Sequence, residues 1–137
     1  MATFNKINDF VQDCGTGVHD LANDQLVVAL TNTAVVATNG QLSDLTGVLD
    51  GTNLSGATPY NITTTSFTNT SGTSTLVLAD LVLTATGAVG PFRYVAVYNG
   101  DATNDELIGW VDYGSSISLA DTETFTIDFN ASTITLA

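Results

Sequence analysis

TETFTIDFN, residues 122–130, alternates without interruption: Phe125, Ile127 and Phe129 share one face, and Thr124, Thr126 and Asp128 share the other. Successive side chains of a strand point to opposite faces, so a period of two predicts a half-buried β-strand. Working outward, Ser132–Leu136 reads as a short closing strand. Upstream, Glu106–Asp112 (ELIGWVD) is a further strand, with Tyr113-Gly114 turning into SSISL. Phe92–Asn99 (FRYVAVYN) is apolar on both faces, as expected of a central strand covered on both sides. The polar run DATNDE, after Asn99-Gly100, separates these two strands as a loop.

Further back, STLVLADLVLTATG at 74–87 is a long strand candidate with a phase conflict. Leu76 and Leu78 share one phase, whereas Leu81, Leu83 and Ala85 take the other, and a bulge near Ala79–Asp80 would reconcile them. Residues 58–70 alternate around Tyr60, Ile62 and Phe67, and Ser71-Gly72 follows as a turn. Gln25–Thr31 places Leu26, Val28 and Leu30 on one face. Between these strands, 32–57 is rich in Asn, Gly, Asp and Thr, with turn dipeptides at Asn39-Gly40 and Asp50-Gly51. Only Leu42, Leu45, Val48 and Leu49 could anchor that stretch, which makes it a candidate contact region. At the start, Phe4, Ile7, Phe10, Val11 and Cys14 follow helical spacing, predicting a helix over 4–14 that Gly15 and Gly17 stop. Seven to nine strands with frequent turns indicate an all-β domain, a β-sandwich or jelly roll with a short N-terminal helix. Residues 1–20 would form a helical arm and 25–137 the sandwich.

The 137 residues suit one domain, and the hydrophobic fraction of 44% supplies a core. Net charge is −12, and Lys6 and Arg93 are the only strong bases. Nucleic acid binding needs clustered cations against the phosphates, so no nucleic acid partner is expected. The same repulsion disfavours anionic membranes. A basic partner, or salty surroundings, would suit such a chain. Met1 leads into a polar segment with no signal-peptide pattern, so the product is expected to be made and kept in a cytoplasm, at least at first.

Reactive constellations are scarce. Cys14 stands alone and reads as a small buried hydrophobe, and the neighbouring Asp13 disfavours a thiolate. His19 is the single histidine and reads as a capping or core residue. No G-x-S-x-G elbow and no phosphate-binding glycine loop occurs, so an enzyme is not expected. No cofactor is expected, and one Cys with one His cannot make a metal cluster of those ligands. Asp101, Asn104, Asp105 and Glu106 form a weak calcium candidate that lacks the spacing of an EF-hand loop. The sequons at Asn53, Asn61, Asn69 and Asn130 read as accidents of a Thr-rich chain. Among the aromatics, Tyr94, Tyr98 and Tyr113 read mainly as core, with Trp110 the first to test at an interface. Phe4, Ile7, Phe10, Val11, Leu42, Leu45, Leu49 and Trp110 are therefore the interface candidates.

Two segments carry a resemblance. FNKINDFVQDCGTGVHDLANDQLVVALTNTA at 4–34 holds the pattern FNK-x-x-x-FV, then GVH-x-L, then a strand ending VALTNTA. GPFRYVAVYNGDATNDELIGWVDYGSSISLADTETFTIDF at 90–129 holds GPFRY, LIGW, DYGSS and TFTIDF. Together they resemble a family of small virion proteins of tailed bacteriophages, while 35–89 matches nothing in it. The resemblance implies a structural protein of the particle. Capsid decoration (cement) fits the residues best: such a protein sits on the capsid exterior and bridges major capsid protein subunits and sister copies. A homo-oligomer is then expected, with a trimer suited to three-fold junctions. A head–tail connector or tail-associated structural protein and a carbohydrate-binding or host-adhesion module are the alternatives.

Overall fold

The computed structural model describes residues 3–129 and 134–136. Its described residues form nine strands, a six-residue helix and one 3-10 turn. In chain order these are β1 (Phe4–Lys6), α1 (Phe10–Gly15), β2 (Leu26–Thr31), β3 (Thr64–Thr70), β4 (Thr73–Leu78), β5 (Leu81–Thr84), β6 (Val89–Asn99), β7 (Leu107–Leu119), β8 (Thr124–Ile127) and β9 (Ile134–Leu136), with the 3-10 turn at Leu42–Asp44. The sheets run β1-β7-β6-β2, β3-β4-β9 and β5-β8, and every pairing is antiparallel. One buried cluster joins them, drawing Leu26, Val28 and Leu30 from β2, Leu76 and Leu78 from β4, Leu83 from β5, Val95 and Val97 from β6, Ile108 from β7 and Ile127 from β8. The protein is thus all-β and sandwich-like, as the alternation predicts.

Phe92–Asn99 is indeed central. Tyr94 to Asn99 pair with Thr31 to Leu26 on one side and, through Tyr98, with Asp112 to Leu107 on the other. Val95, Ala96 and Val97 are all buried because both faces of this strand are covered. In β8 Ile127 is buried and Phe125 half-buried, and Phe129, just past the strand, is buried too, in the phase read from the sequence. The readings at Asn130 and Ser132 lie outside the described residues.

Four expectations need correction. The predicted helix over 4–14 and the separate arm over 1–20 are replaced by β1 and the shorter α1. Phe4, Asn5 and Lys6 pair with Val111, Trp110 and Gly109 and extend the main sheet. An unpaired edge on β7 is a stronger draw than one marginal helical turn, because it satisfies backbone groups that a sheet edge leaves open. The stop signal itself holds. Gly17, at φ +85°, donates to the Cys14 carbonyl, and Val18 donates to the Asp13 carbonyl, the paired bonds of a Schellman motif.

The bulge expected at Ala79–Asp80 is instead a change of sheet. β4 ends at Leu78 in one sheet and β5 begins at Leu81 in another, and the phase flips because the partners do. Asp80 takes up the Phe129 amide at 2.9 Å in the crossing. Likewise Tyr113-Gly114 does not separate two strands. β7 runs through it with a register shift against β6 between Phe92 and Tyr94. Gly114 at φ +85° absorbs the extra residues, and its amide is held by Asp112. Finally, 58–70 is a strand only from Thr64. Tyr60 and Ile62 instead lie against the outer edge of β2, exchanging backbone bonds with Val28 and Leu26.

Candidate functional site

The turn at 18–24 and the loop after β6 converge on one buried side chain, Asn99, which is fully buried. Its Oδ1 accepts the Asp101 amide at 2.9 Å, and its Nδ2 donates to Asp24 Oδ2 at 2.7 Å. Those two partners fix the amide orientation, so Nδ2 also faces His19 Nδ1 at 3.0 Å. Nδ1 therefore carries the lone pair and Nε2 the proton in neutral His19. Nε2 has no hydrogen-bond partner among the described residues, and Asp13 Oδ2 stands 3.9 Å away, beyond hydrogen-bond reach. The imidazole packs on Phe10 with ring centroids 5.7 Å apart. His19 is thus a core residue, one of the two roles read from the sequence.

Burial drives the His19 pKa below its ordinary 6.5, although Asp13, Glu106 and Asp24 pull the other way. Asp13 is pushed up, chiefly by its own burial, with His19 opposing. A histidine held neutral in the fold but free to take a proton when unfolded stabilises the fold fully above pH 6.5 and progressively less as pH falls below it. The measurement is a melting series from pH 7.5 to 5.0 on the protein and on His19→Gln. Lower pH also relieves the self-repulsion of an acidic chain, so the informative quantity is the difference between the two. That difference should shrink with acid below pH 6.5 and be constant above it.

Beside this hub, Thr16, Gly17, Asp20, Asp24, Asp101, Thr103 and Glu106 line an open cleft of about 380 Å³. The calcium candidates do not gather in it as a set. Asp101 and Glu106 face this cleft, whereas Asn104 and Asp105 line another with Gln41, Leu42 and Ser43. Asp101 Oδ2 accepts the Gln25 amide, and Glu106 accepts both nitrogens of Asn104. Among the described residues, no group of three or more His, Cys, Asp or Glu side chains could hold a metal ion. The calcium reading of Asp101, Asn104, Asp105 and Glu106 therefore loses its geometric basis, because Asp101 and Glu106 are engaged in bracing the loop and the four side chains divide between two clefts.

The interface candidates divide in a similar way. Ile7 and Phe10 are buried in the protein's own core and are withdrawn as contact residues. The helical spacing that suggested them reports packing against β7 and His19 instead. Phe4, Leu42, Leu45, Leu49 and Trp110 are half-buried and pack against that core. Val11 alone of the candidates is openly exposed, at 57%. The stretch 32–57 is also less free than expected. Leu49 donates to Leu30, Leu54 bridges Ala85 and Gln41 bridges Glu106. Val35 and Leu54, buried there, escaped the sequence reading because neither lies in a periodic run. Cys14 is half-buried rather than buried, with its thiol pKa raised by burial and then by Asp13. Tyr94, Tyr98 and Tyr113 also pack against the core, and Arg93 lies over the Tyr94 ring at 5.2 Å.

Both strong bases have partners within the chain. Arg93 forms a two-point contact with Asp112 through Nε at 2.7 Å and a terminal nitrogen at 3.0 Å. Lys6 Nζ donates to the Thr135 carbonyl. The excess charge on the molecule is therefore carboxylate. Searches of protein-family models, of curated proteins and of solved structures find no match for this chain. Among the described residues, no helix is long and apolar enough to cross a membrane.

Proposed function

We propose that this chain is a structural protein of a tailed-phage particle, a decoration (cement) protein on the capsid exterior that bridges major capsid protein subunits and sister copies. One observation carries the reading. The two segments that resemble the virion family are far apart in sequence, yet they supply β1 and β2 from 4–34 and, but for Val89, β6 and β7 from 90–129, the four strands of one sheet; the second segment also supplies β8, which pairs with β5 in another sheet. A resemblance that falls mostly on one sheet is more informative than the same number of scattered residues. The segment 35–89, which resembles nothing in that family, supplies β3, β4 and β5 outside that sheet.

The physical properties suit the role. Cementing needs a stiff scaffold and contact area, and the pinned 32–57 region adds stiffness. An acidic exterior is compatible with a place outside the shell, away from packaged DNA, and with a basic docking surface. Exposed Val11 on α1, with Val36 and Val48, offers apolar contacts on such a surface.

The test is binding of the purified protein to capsids that lack it, with the copies counted. Saturation at hundreds per head supports decoration. Six or twelve copies at the tail axis would favour the head–tail connector, and absence from the particle would end both readings. Val11→Asp should weaken capsid binding about tenfold while leaving the melting temperature unchanged, since it buries a charge only in the complex.

A further inference from the structure

The outer edges of the sheets are protected in different ways, with one exception. The outer edge of β2 is occupied by backbone bonds from Leu49, Tyr60 and Ile62. β1 and β9 are three residues long, too short to template a partner, and β1 carries Lys6. β5 accepts the Ser55 amide on Thr84, and β8 is four residues long between Glu123 and Asp128. β3 differs from all of these. It is seven residues long and pairs only with β4 among the described residues. Apart from the ladder with β4, no backbone bond from the other described residues reaches Thr64–Thr70.

Its composition differs as well. No residue from Gly51 to Ala79 is charged, in a chain of net charge −12. The described strands of the β3-β4-β9 sheet contain no charged side chain at all. Natural edge strands are usually guarded by lysine, proline, an inward charge or a bulge. β3 has only a register shift at its start, between Thr64 and Ser66, which leaves Ser66–Thr70 regular. Its threonines and Phe67 favour extended backbone. Two copies of so acidic a chain repel over most of their surfaces, and this neutral edge is where they can approach without opposing carboxylates.

We propose that the free edge of β3 pairs with β3 of a second copy, antiparallel about a two-fold axis, so that two three-stranded sheets become one continuous sheet. A two-fold contact is self-complementary, and a neutral strand opposite itself meets no like charge. The association goes beyond the proposed role in a particle and does not depend on it. It joins copies in pairs and does not by itself close a trimer. The buried area of one strand pairing is small, so the dimer should be weak, with a dissociation constant on the order of micromolar or above.

Sedimentation velocity on the purified full chain, from low to high micromolar concentration, measures this directly. A concentration-dependent dimer is expected, and it should strengthen with added salt as the repulsion between the acidic bodies is screened. Amide exchange over 66–70 should slow as concentration rises. Thr68 is exposed, so Thr68→Glu should leave the melting curve unchanged yet weaken the dimer about tenfold, because it sets like charges near the two-fold axis. Mixing Thr68→Glu with Thr68→Lys should restore association as a heterodimer. A monomer at every concentration, a dimer dispersed by salt, or a dimer indifferent to Thr68→Glu would each overturn the proposal. None of these measurements uses a capsid, so their outcome is separate from that of the capsid-binding test.

Discussion

Replacing Gly109 with alanine should lower the stability of the protein by about 2–3 kcal/mol and release the N-terminal strand from the sheet. Gly109 is buried in β7 opposite Lys6 of β1 and Val97 of β6. A Cβ at this position would overlap the Asn5 carbonyl oxygen and the Phe4 ring. Both obstructing groups are held in place: the carbonyl belongs to a paired strand, and the ring packs against the core. Relief requires β1 to move away, which uncovers Ile7 and loosens Phe10 behind it. Denaturant unfolding measures the loss, and amide exchange at 4–7 tests the location. An exchange pattern that rises evenly across the sheet would point to general overpacking rather than loss of β1. Gly15, with nothing near its would-be Cβ and an ordinary φ, is the matched control and should tolerate alanine with little change.

Asn99→Ala should be of similar size, roughly 2–4 kcal/mol, for a different reason. The change removes a fully buried amide that serves four partners, the Val18 carbonyl at 3.5 Å among them. The Asp101 amide loses its acceptor, His19 Nδ1 loses its donor, and Asp24 Oδ2 keeps only the Asp20 amide. Leaving buried polar groups unpaired costs more than a hydrogen bond contributes when made, because the desolvation is no longer offset. Asn99→Asp is the sharper variant. It would place a second carboxylate against Asp24 but give His19 Nδ1 an anionic acceptor, so the His19 pKa should rise and the pH dependence expected of the protein should reverse. Nuclear magnetic resonance titration of this single histidine reads the shift directly. An unmoved His19 pKa in Asn99→Asp would mean that the contact at 3.0 Å does not couple the two side chains.

Much of the strand pattern is legible locally. Leu26, Val28 and Leu30, or Phe125, Ile127 and Phe129, announce their faces by period alone, since the pleat is a property of each strand. The failures occur where two local readings are equally good and distant partners decide. Phe4, Ile7 and Phe10 satisfy a helical stripe, but the bare edge of β7 claims the first of them as strand. The phase change after Leu78 is visible, yet a bulge and a crossing between sheets write the same pattern. The hub around Asn99 joins residues some 80 positions apart, and Asn99-Gly100 looks like an ordinary turn dipeptide. One signal was available: Asn99 continues the inward phase of Val95 and Val97, so a buried amide needing partners could be inferred. Its partners could not, because neither the 18–24 turn nor Asp101 carries any pattern that points to it.

By itself the sequence determined that this protein is all-β, acidic and short of cations, because those properties reside in side-chain periodicity and composition, which need no knowledge of neighbours. Tertiary structure alone decided that β1 closes the main sheet, that Asp101 and Glu106 brace their loop while Asp105 faces a separate cleft, and that β3 has, among the described residues, a neutral edge paired only with β4. Each of these depends on which backbone groups find partners across the whole fold, and pairing is settled by packing the entire core at once.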